Sequence, residues 1–229
     1  MSLRGSVDLA LRLRAWLKRH QRITAAASPV KVNLGSGLAV AAGWINVDSG
    51  IYALAARLPT LFLDILYRNS TSHLYYTREQ YLHTLRAGHF VHHALEYGVP
   101  FHAETVDYIY SSHMLEHLFR EDAQALLRDA HRVLRSGGTI RIAVPDLTYA
   151  LQLYHQGLSE QAMAFFFSLR REGWLAQHHY MYDFELLAQL LATAGFTQIE
   201  RCAFQSGRCP DLEILDNRPE ETLYVEASK

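Results

Sequence analysis

The chain has 229 residues, 49% of them hydrophobic and 20% charged, which is long enough to bury most of its apolar surface in one α/β domain. Lys and Arg number 22 against 23 Asp and Glu, so no net field is available to hold nucleic acid. Cys202 and Cys209 are too few for a disulfide framework and fit a reducing, cytoplasmic compartment. No apolar run reaches the roughly 18 residues of a membrane-spanning helix.

Residues 1–28 read as an appended amphipathic helix. In VDLALRLRAWLKRHQRI, Leu9, Leu13, Trp16 and Leu17 recur at helical spacing, with Arg12, Lys18, Arg19 and Arg22 elsewhere around the turn. The segment lacks the apolar core and small-residue cleavage site of a secretory signal. Packing on the domain is the expectation, and contact of residues 7–23 with an anionic membrane surface is the alternative.

From residue 29 to 229 the chain reads as one domain. Short apolar runs bounded by Gly, Pro, Asp or Ser predict strands at VKVNLG (30–35), WINVD (44–48), HFVHHAL (89–95), VDYIYSS (106–112) and TIRIAVPD (139–146). REDAQALLRDAHRVLRSGG predicts a helix with Ala125, Leu126, Ala130, Val133 and Leu134 on one face, stopped by Gly137 and Gly138. DFELLAQLLATAGF (183–196) repeats the device with a Gly195 stop before a strand through TQIERCAF, and TLYVEAS (222–228) reads as a last, edge-like strand. Alternation of this kind implies right-handed crossovers and a mostly parallel sheet covered on both faces. Residues 50–88 break the rhythm: IYALAARLPTLFLDILYR and TREQYLHTLRAG predict two helices inserted in place of one crossover, as a lid, an acceptor wall or plain scaffold.

VNLGSG places Gly35 and Gly37 just past the first strand, where open α/β sheets bind ligands. A dinucleotide site asks for a third glycine at position 40 and a helix whose N-terminus holds pyrophosphate. Position 40 is Val, and LAVAAG is too short for that helix, so a ligand without phosphates suits the loop better. Asp48, ending the second strand, is placed to accept two hydrogen bonds from a ribose diol, or else to cap the next helix.

VNLGSG, then GWINVD, then VPFHAETVDYIYSSHMLEHL, then HRVLRSGGTIRIAVPD, in that order, resemble the class I S-adenosylmethionine-dependent methyltransferases. The likeness is nearest to a branch of small, largely uncharacterised members and runs over residues 30–146. It implies a three-layer Rossmann-like α/β fold: a seven-stranded, mostly parallel sheet with an antiparallel last strand and helices on both faces. It also implies S-adenosylmethionine as cofactor, with Asn33, Gly35, Ser36 and Gly37 at its methionine part and Asp48 on its ribose. Ala94 and Leu95 would flank the adenine, and the backbone of Ser111, Ser112 and His113 would face the methionine amine. Many relatives carry an acid at position 33 and, in this branch, Asp at position 94.

SSHMLEHL contains His113, Glu116 and His117 as H-x-x-E-H, which also resembles the zinc-binding helix of the inverzincin peptidases. That motif needs both histidines on one helical face. Here His113 directly follows a strand and falls in the turn, so no metal is expected. Methyl transfer to a hydroxyl asks for alignment and a base, for which histidine is suited near neutral pH. His113 and His178 are the candidates; His117 reads as loop support and Glu116 as an orienting group. In AFFFSLRREGWLAQHHYMY, at least one of three consecutive Phe must pack on the core. Trp174 and Tyr180 are candidates to line a pocket for a ring or sugar face.

The expected activity is O-methylation of a small-molecule or glycan-type acceptor, without nucleic acid. An S-adenosylmethionine-binding protein without transferase activity, and a zinc hydrolase using His113, Glu116 and His117, are the alternatives. A nicotinamide enzyme is disfavoured by Val40.

Overall fold

A computed structural model describes residues 3–25, 28–167 and 177–229. Seven strands form one sheet: β1 (Lys31–Leu34), β2 (Trp44–Asp48), β3 (His89–His92), β4 (Val106–Ser112), β5 (Leu134–Pro145), β6 (Thr197–Cys202) and β7 (Thr222–Ser228). Their order is β3-β2-β1-β4-β5-β7-β6. Every pairing is parallel except those of β7, which runs antiparallel to both β5 and β6.

One face of the sheet is apolar. Val32, Leu34, Ile45, Val47, Ile109, Ile140, Ile142 and Val225 pack there against α5 (Arg120–Val133) and α8 (Phe184–Thr193). Each fully buried aliphatic side chain contributes about 1.5–3 kcal/mol. The buried row of α5 is Ala123, Leu126, Leu127, Ala130 and Val133, while Ala125 is exposed. Asp183 caps α8 by accepting from the Leu186 amide, and Gly195 ends it as the sequence indicates.

The opposite face carries a polar row. Register aligns Asn46, Asn33, Tyr110, Arg141 and Glu226 across five adjacent strands, all nearly inaccessible. Residues 203–216, ending in the short α9 (Leu212–Leu215), fold over this row. Arg141 pairs with Asp216 (2.6 Å) and Glu226 (3.1 Å) and donates to the carbonyls of Ala203 and Ser206. Tyr110 donates to the Leu215 carbonyl, and Asp211 accepts from Lys31 and the Trp44 indole. Residues 35–43, all described, form turns and no helix between β1 and β2. The 203–216 segment covers the face that such a crossover helix would otherwise occupy.

Two expectations are corrected. Gly137 and Gly138 do not stop a helix, because α5 passes directly into β5 at Leu134 and the glycines lie in an irregular stretch of that strand between the Leu134 and Thr139 pairings. TLYVEAS is not an edge: β7 is buried along its length between β5 and β6, and β6 forms the edge. The one charge of β7, Glu226, is balanced by Arg141 on the neighbouring strand.

Between β2 and β3 lie α2 (Ile51–Ala55), α3 (Thr60–Asn69) and α4 (Arg78–Ala87). Pro59 divides the first expected helix in two, and Thr77 with Gln80 forms a capping box that starts α4. Ala53, Ala55, Leu63, Tyr81 and Leu85 build a second core around Leu38 and Phe90. The region therefore packs against the strand tips instead of hanging as a loose flap.

Helix α1 (Leu3–Leu17) does not bury its apolar row: Leu9, Leu13, Trp16 and Leu17 are all exposed, while Ala15 is buried. The chain after it is pinned where Ile23 bridges to Phe101. No described helix is long and apolar enough to cross a membrane.

Candidate functional site

The glycine loop leaves β1 at the carboxyl end of the parallel strands. Gly35 (φ +67°) and Gly37 (φ +51°) adopt the left-handed conformation that side chains disfavour. The Gly35 amide donates to the Val47 carbonyl at 2.8 Å, tying the loop to β2. A Cβ added at Gly35 would overlap Met114, whereas one at Gly37 would meet nothing within 4 Å. Backbone is thus presented to open space at Gly37.

Asp48 organises the strand tips. Its carboxylate accepts from the Gly37 amide (2.9 Å) and the Gly50 amide, and its main-chain carbonyl accepts from His93 (3.0 Å). A carboxylate has about four lone-pair sites, so two amides leave room for a diol. Asn33 departs from expectation: it is 1% exposed, and its amide donates to the Ala39 carbonyl (2.8 Å) and faces Asn46 (3.3 Å). The side chain expected to touch a ligand instead fixes the far end of the loop. Ser36 is buried beside Gly37, and Ala94 and Leu95 form the buried start of the turn after β3. His92 and His93 line the same tip, held by the carbonyls of Ser49 and Gly98; burial lowers both, His93 to about 4.

A second cluster forms at the tip of β4. The Ser111 hydroxyl donates to the Leu34 carbonyl and the His113 amide to Ala143, so the turn is anchored to both neighbouring strands. His113 has φ +49°, which ends the strand abruptly and separates it from the 3-10 turn Leu115–His117. As the sequence implies, His113 and His117 share no helical face. The turn nevertheless brings their rings to one carboxylate: His113 Nδ1 lies 3.5 Å and His117 Nε2 3.9 Å from Glu116 Oε1. His113 Nε2 lies 3.1 Å from the Thr222 hydroxyl. Burial, the largest influence, lowers the His117 pKa and favours the neutral ring, against the opposing pull of Glu116.

His178 arrives from the segment before α8. The Glu116 carbonyl accepts from the His179 amide at 2.7 Å, which lays residues 178–180 across the turn. The rings of His178 and His117 are 5.0 Å apart, and ligand atoms of Glu116, His117 and His178 all lie within 4.8 Å of one another. The two catalytic candidates, His113 and His178, therefore belong to one cluster around Glu116. Thr222, which orients His113, carried no sequence signal, since its contact spans 109 positions. Of the three consecutive Phe, Phe165 and Phe166 are half-buried and Phe167 is exposed, so none is fully buried. Tyr180 packs partly on the core, and Trp174 lies outside the described residues.

Beside the cluster, a cleft of ≈ 350 Å³ opens between residues 146–152, the end of β6 and the start of β7, with Thr222 in its wall. Asp146, Gln152 and Arg201 supply polar groups, and Tyr149, Phe204 and Tyr224 supply rings.

A family model described as "Methyltransferase domain" matches residues 66–142. Curated proteins give no match. Among solved structures, the apo form of the S-adenosylmethionine-dependent methyltransferase SibL is 17% identical, with a TM-score of 0.50 over 97% of this chain and 54% of its own. PigF, solved with SAH, is 12% identical over 88% of this chain and 50% of its own, at a TM-score of 0.48. An S-adenosylmethionine-dependent methyltransferase from Mesorhizobium loti is 18% identical over 96% of both chains, at 0.45. The chain thus spans about half the length of SibL and PigF. The residues present fit S-adenosylmethionine, the cofactor that the sequence resemblance implies: Gly37 opens a backbone cradle without a helix to hold phosphate, and Asp48 faces it with acceptor capacity to spare. The family-model match makes residues 66–142 similar to a methyltransferase domain, and the strand order and glycine loop fit that likeness.

Proposed function

We propose that the chain transfers a methyl group from S-adenosylmethionine to a hydroxyl of a small-molecule or glycan-type acceptor. The observation that carries this reading is His113, set at the tip of β4 between Thr222 and the Glu116 carboxylate, one residue from the Met114 that packs on Gly35. The bound cofactor supplies a methyl group on a positively charged sulfur. Gly35, Ser36 and Gly37 present backbone to its methionine part, with the backbone of Ser111, Ser112 and His113 facing the amine. Asp48 holds the ribose diol, and Ala94 and Leu95 flank the adenine. His113 takes the hydroxyl proton, and Glu116 steadies the resulting imidazolium through the 3.5 Å contact to Nδ1. The acceptor occupies the cleft beside Thr222, where rings can stack on a sugar face while Asp146, Gln152 and Arg201 accept and donate to hydroxyls.

Transfer of labelled methyl to a panel of sugars, glycans and ring alcohols tests the reading. His113→Ala is expected to lower turnover by about 10²–10⁴-fold, the range of a lost general base, with S-adenosylhomocysteine affinity kept. Unchanged turnover removes His113 as the base, and a panel methylated only at nitrogen removes the hydroxyl assignment.

An anionic membrane surface is proposed as a weak second partner, supported by the exposed row Leu9, Leu13, Trp16 and Leu17 beside basic residues. The protein is expected to float with anionic liposomes at low salt, and failure to float rejects the contact. The two free cysteines support a cytoplasmic setting.

A further inference from the structure

Glu116 is 1% exposed, and neither of its carboxylate oxygens accepts a hydrogen bond. An ionised carboxylate sealed from water without a partner costs several kcal/mol, a cost that a bound cation offsets. The groups that face it are imidazoles: His113 Nδ1 at 3.5 Å, His117 Nε2 at 3.9 Å, and His178, whose ligand atom lies within 4.8 Å of those of Glu116 and His117. Both His117 and His178 turn Nδ1 to a main-chain carbonyl, Gln177 at 3.1 Å and Phe165 at 2.6 Å. That arrangement fixes the tautomer and leaves Nε2 of each ring as a lone-pair donor, which is how metal-bound histidines are held.

We propose that Glu116, His117 and His178 bind one divalent transition cation of the zinc, cobalt or manganese type. Two nitrogens and a carboxylate oxygen suit such ions, and three protein ligands leave coordination positions open for a substrate. The site differs from the peptidase helix that H-x-x-E-H first suggests. The left-handed His113 breaks that helix, and the distant His178 replaces it as third ligand, brought in by the bond between the His179 amide and the Glu116 carbonyl. The expectation that no metal binds rested on His113 and His117 lacking a shared face, a condition this arrangement does not need.

The role of the cation rests on the hydroxyl-methylation reading. An acceptor hydroxyl takes an open coordination position, where the cation lowers its pKa. Its proton passes to His113, the new C–O bond forms as the C–S bond breaks, and the bond pair leaves with sulfur as a neutral thioether.

The test uses full-length, tag-free protein stripped by chelator and titrated with Co²⁺, without cofactor or acceptor, and followed by visible absorption and calorimetry. One Co²⁺ per chain is expected, with d–d bands that Zn²⁺ abolishes. Glu116→Gln, nearly isosteric, and His178→Ala are each expected to weaken binding more than about 100-fold, since loss of even an outer partner of a ligand costs 10–100-fold. Both variants should keep the S-adenosylhomocysteine affinity of the parent, which shows that they fold. Failure of the parent to bind Co²⁺ or Zn²⁺, or unchanged binding in both variants, overturns the proposal. Co²⁺ bound with no S-adenosylhomocysteine affinity leaves the cation site standing and sinks the methyl-transfer reading instead.

Discussion

Asp48→Asn probes the residue on which the proposed cofactor site turns. The carboxylate now accepts from two amides, Gly37 at 2.9 Å and Gly50, one on each oxygen. An asparagine has one acceptor oxygen and one donor nitrogen, so whichever way it turns, one glycine N–H faces another donor. A hydrogen bond to a charged acceptor is worth about 1.5–3 kcal/mol, and the ribose diol loses the same charge. Asp48 is partly exposed, and solvent screening reduces both contributions. With two diol bonds to the carboxylate, the screened ribose part predicts a loss of about 2–4 kcal/mol, a roughly 30- to 700-fold fall in affinity for S-adenosylhomocysteine. Calorimetric titration reads the affinity directly. The same variant should unfold only about 1–2 kcal/mol more easily in urea, because the ribose contribution is absent without ligand. Affinity within about threefold of the parent would refute the argument and leave Asp48 as a loop brace alone.

Two further outcomes concern stability. Asp216→Ala leaves the Arg141 guanidinium buried with Glu226 as its remaining carboxylate partner, and should cost about 3–5 kcal/mol in urea unfolding; a loss below about 1 kcal/mol would mean the pair is not sealed from water. His93 is held neutral by burial, with a pKa near 4 beside Arg22 and His92, against 6.5 when unfolded. Its unfolded form therefore binds the proton first. Its contribution is complete above pH 6.5 and falls away towards pH 4, by about 3 kcal/mol in all. His93→Gln should flatten the stability profile by that amount over the same window, and an unchanged profile would place the titration elsewhere.

The strands β1 to β5 were legible because each is a short apolar run ended by a turn residue, and α5 and α8 because their apolar positions repeat at helical spacing. The glycine loop and Asp48 were legible for the same local reason: both ends of the site lie within sixteen positions of each other. Long-range pairing was not legible. TLYVEAS reads as an edge until its Glu226 is known to pair with Arg141, 85 positions away. Asn33 reads as a ligand contact until the register places it in a buried row with Asn46 and Tyr110. The histidine cluster was half legible. H-x-x-E-H marked the turn, but the left-handed His113 and the hydrogen bond that delivers His178 have no local pattern.

The interior position of β7 constrains how the sheet can be assembled. Residues 222–228 are paired on both sides, and among the described residues β6 has no other strand beside it. Trimming those seven residues would strip β6 of its hydrogen-bonding neighbour, leave Arg141 without Glu226, and remove the hydroxyl that steers His113. The histidine-bearing turn after β4 therefore waits on a segment synthesised more than a hundred residues later before its geometry can lock.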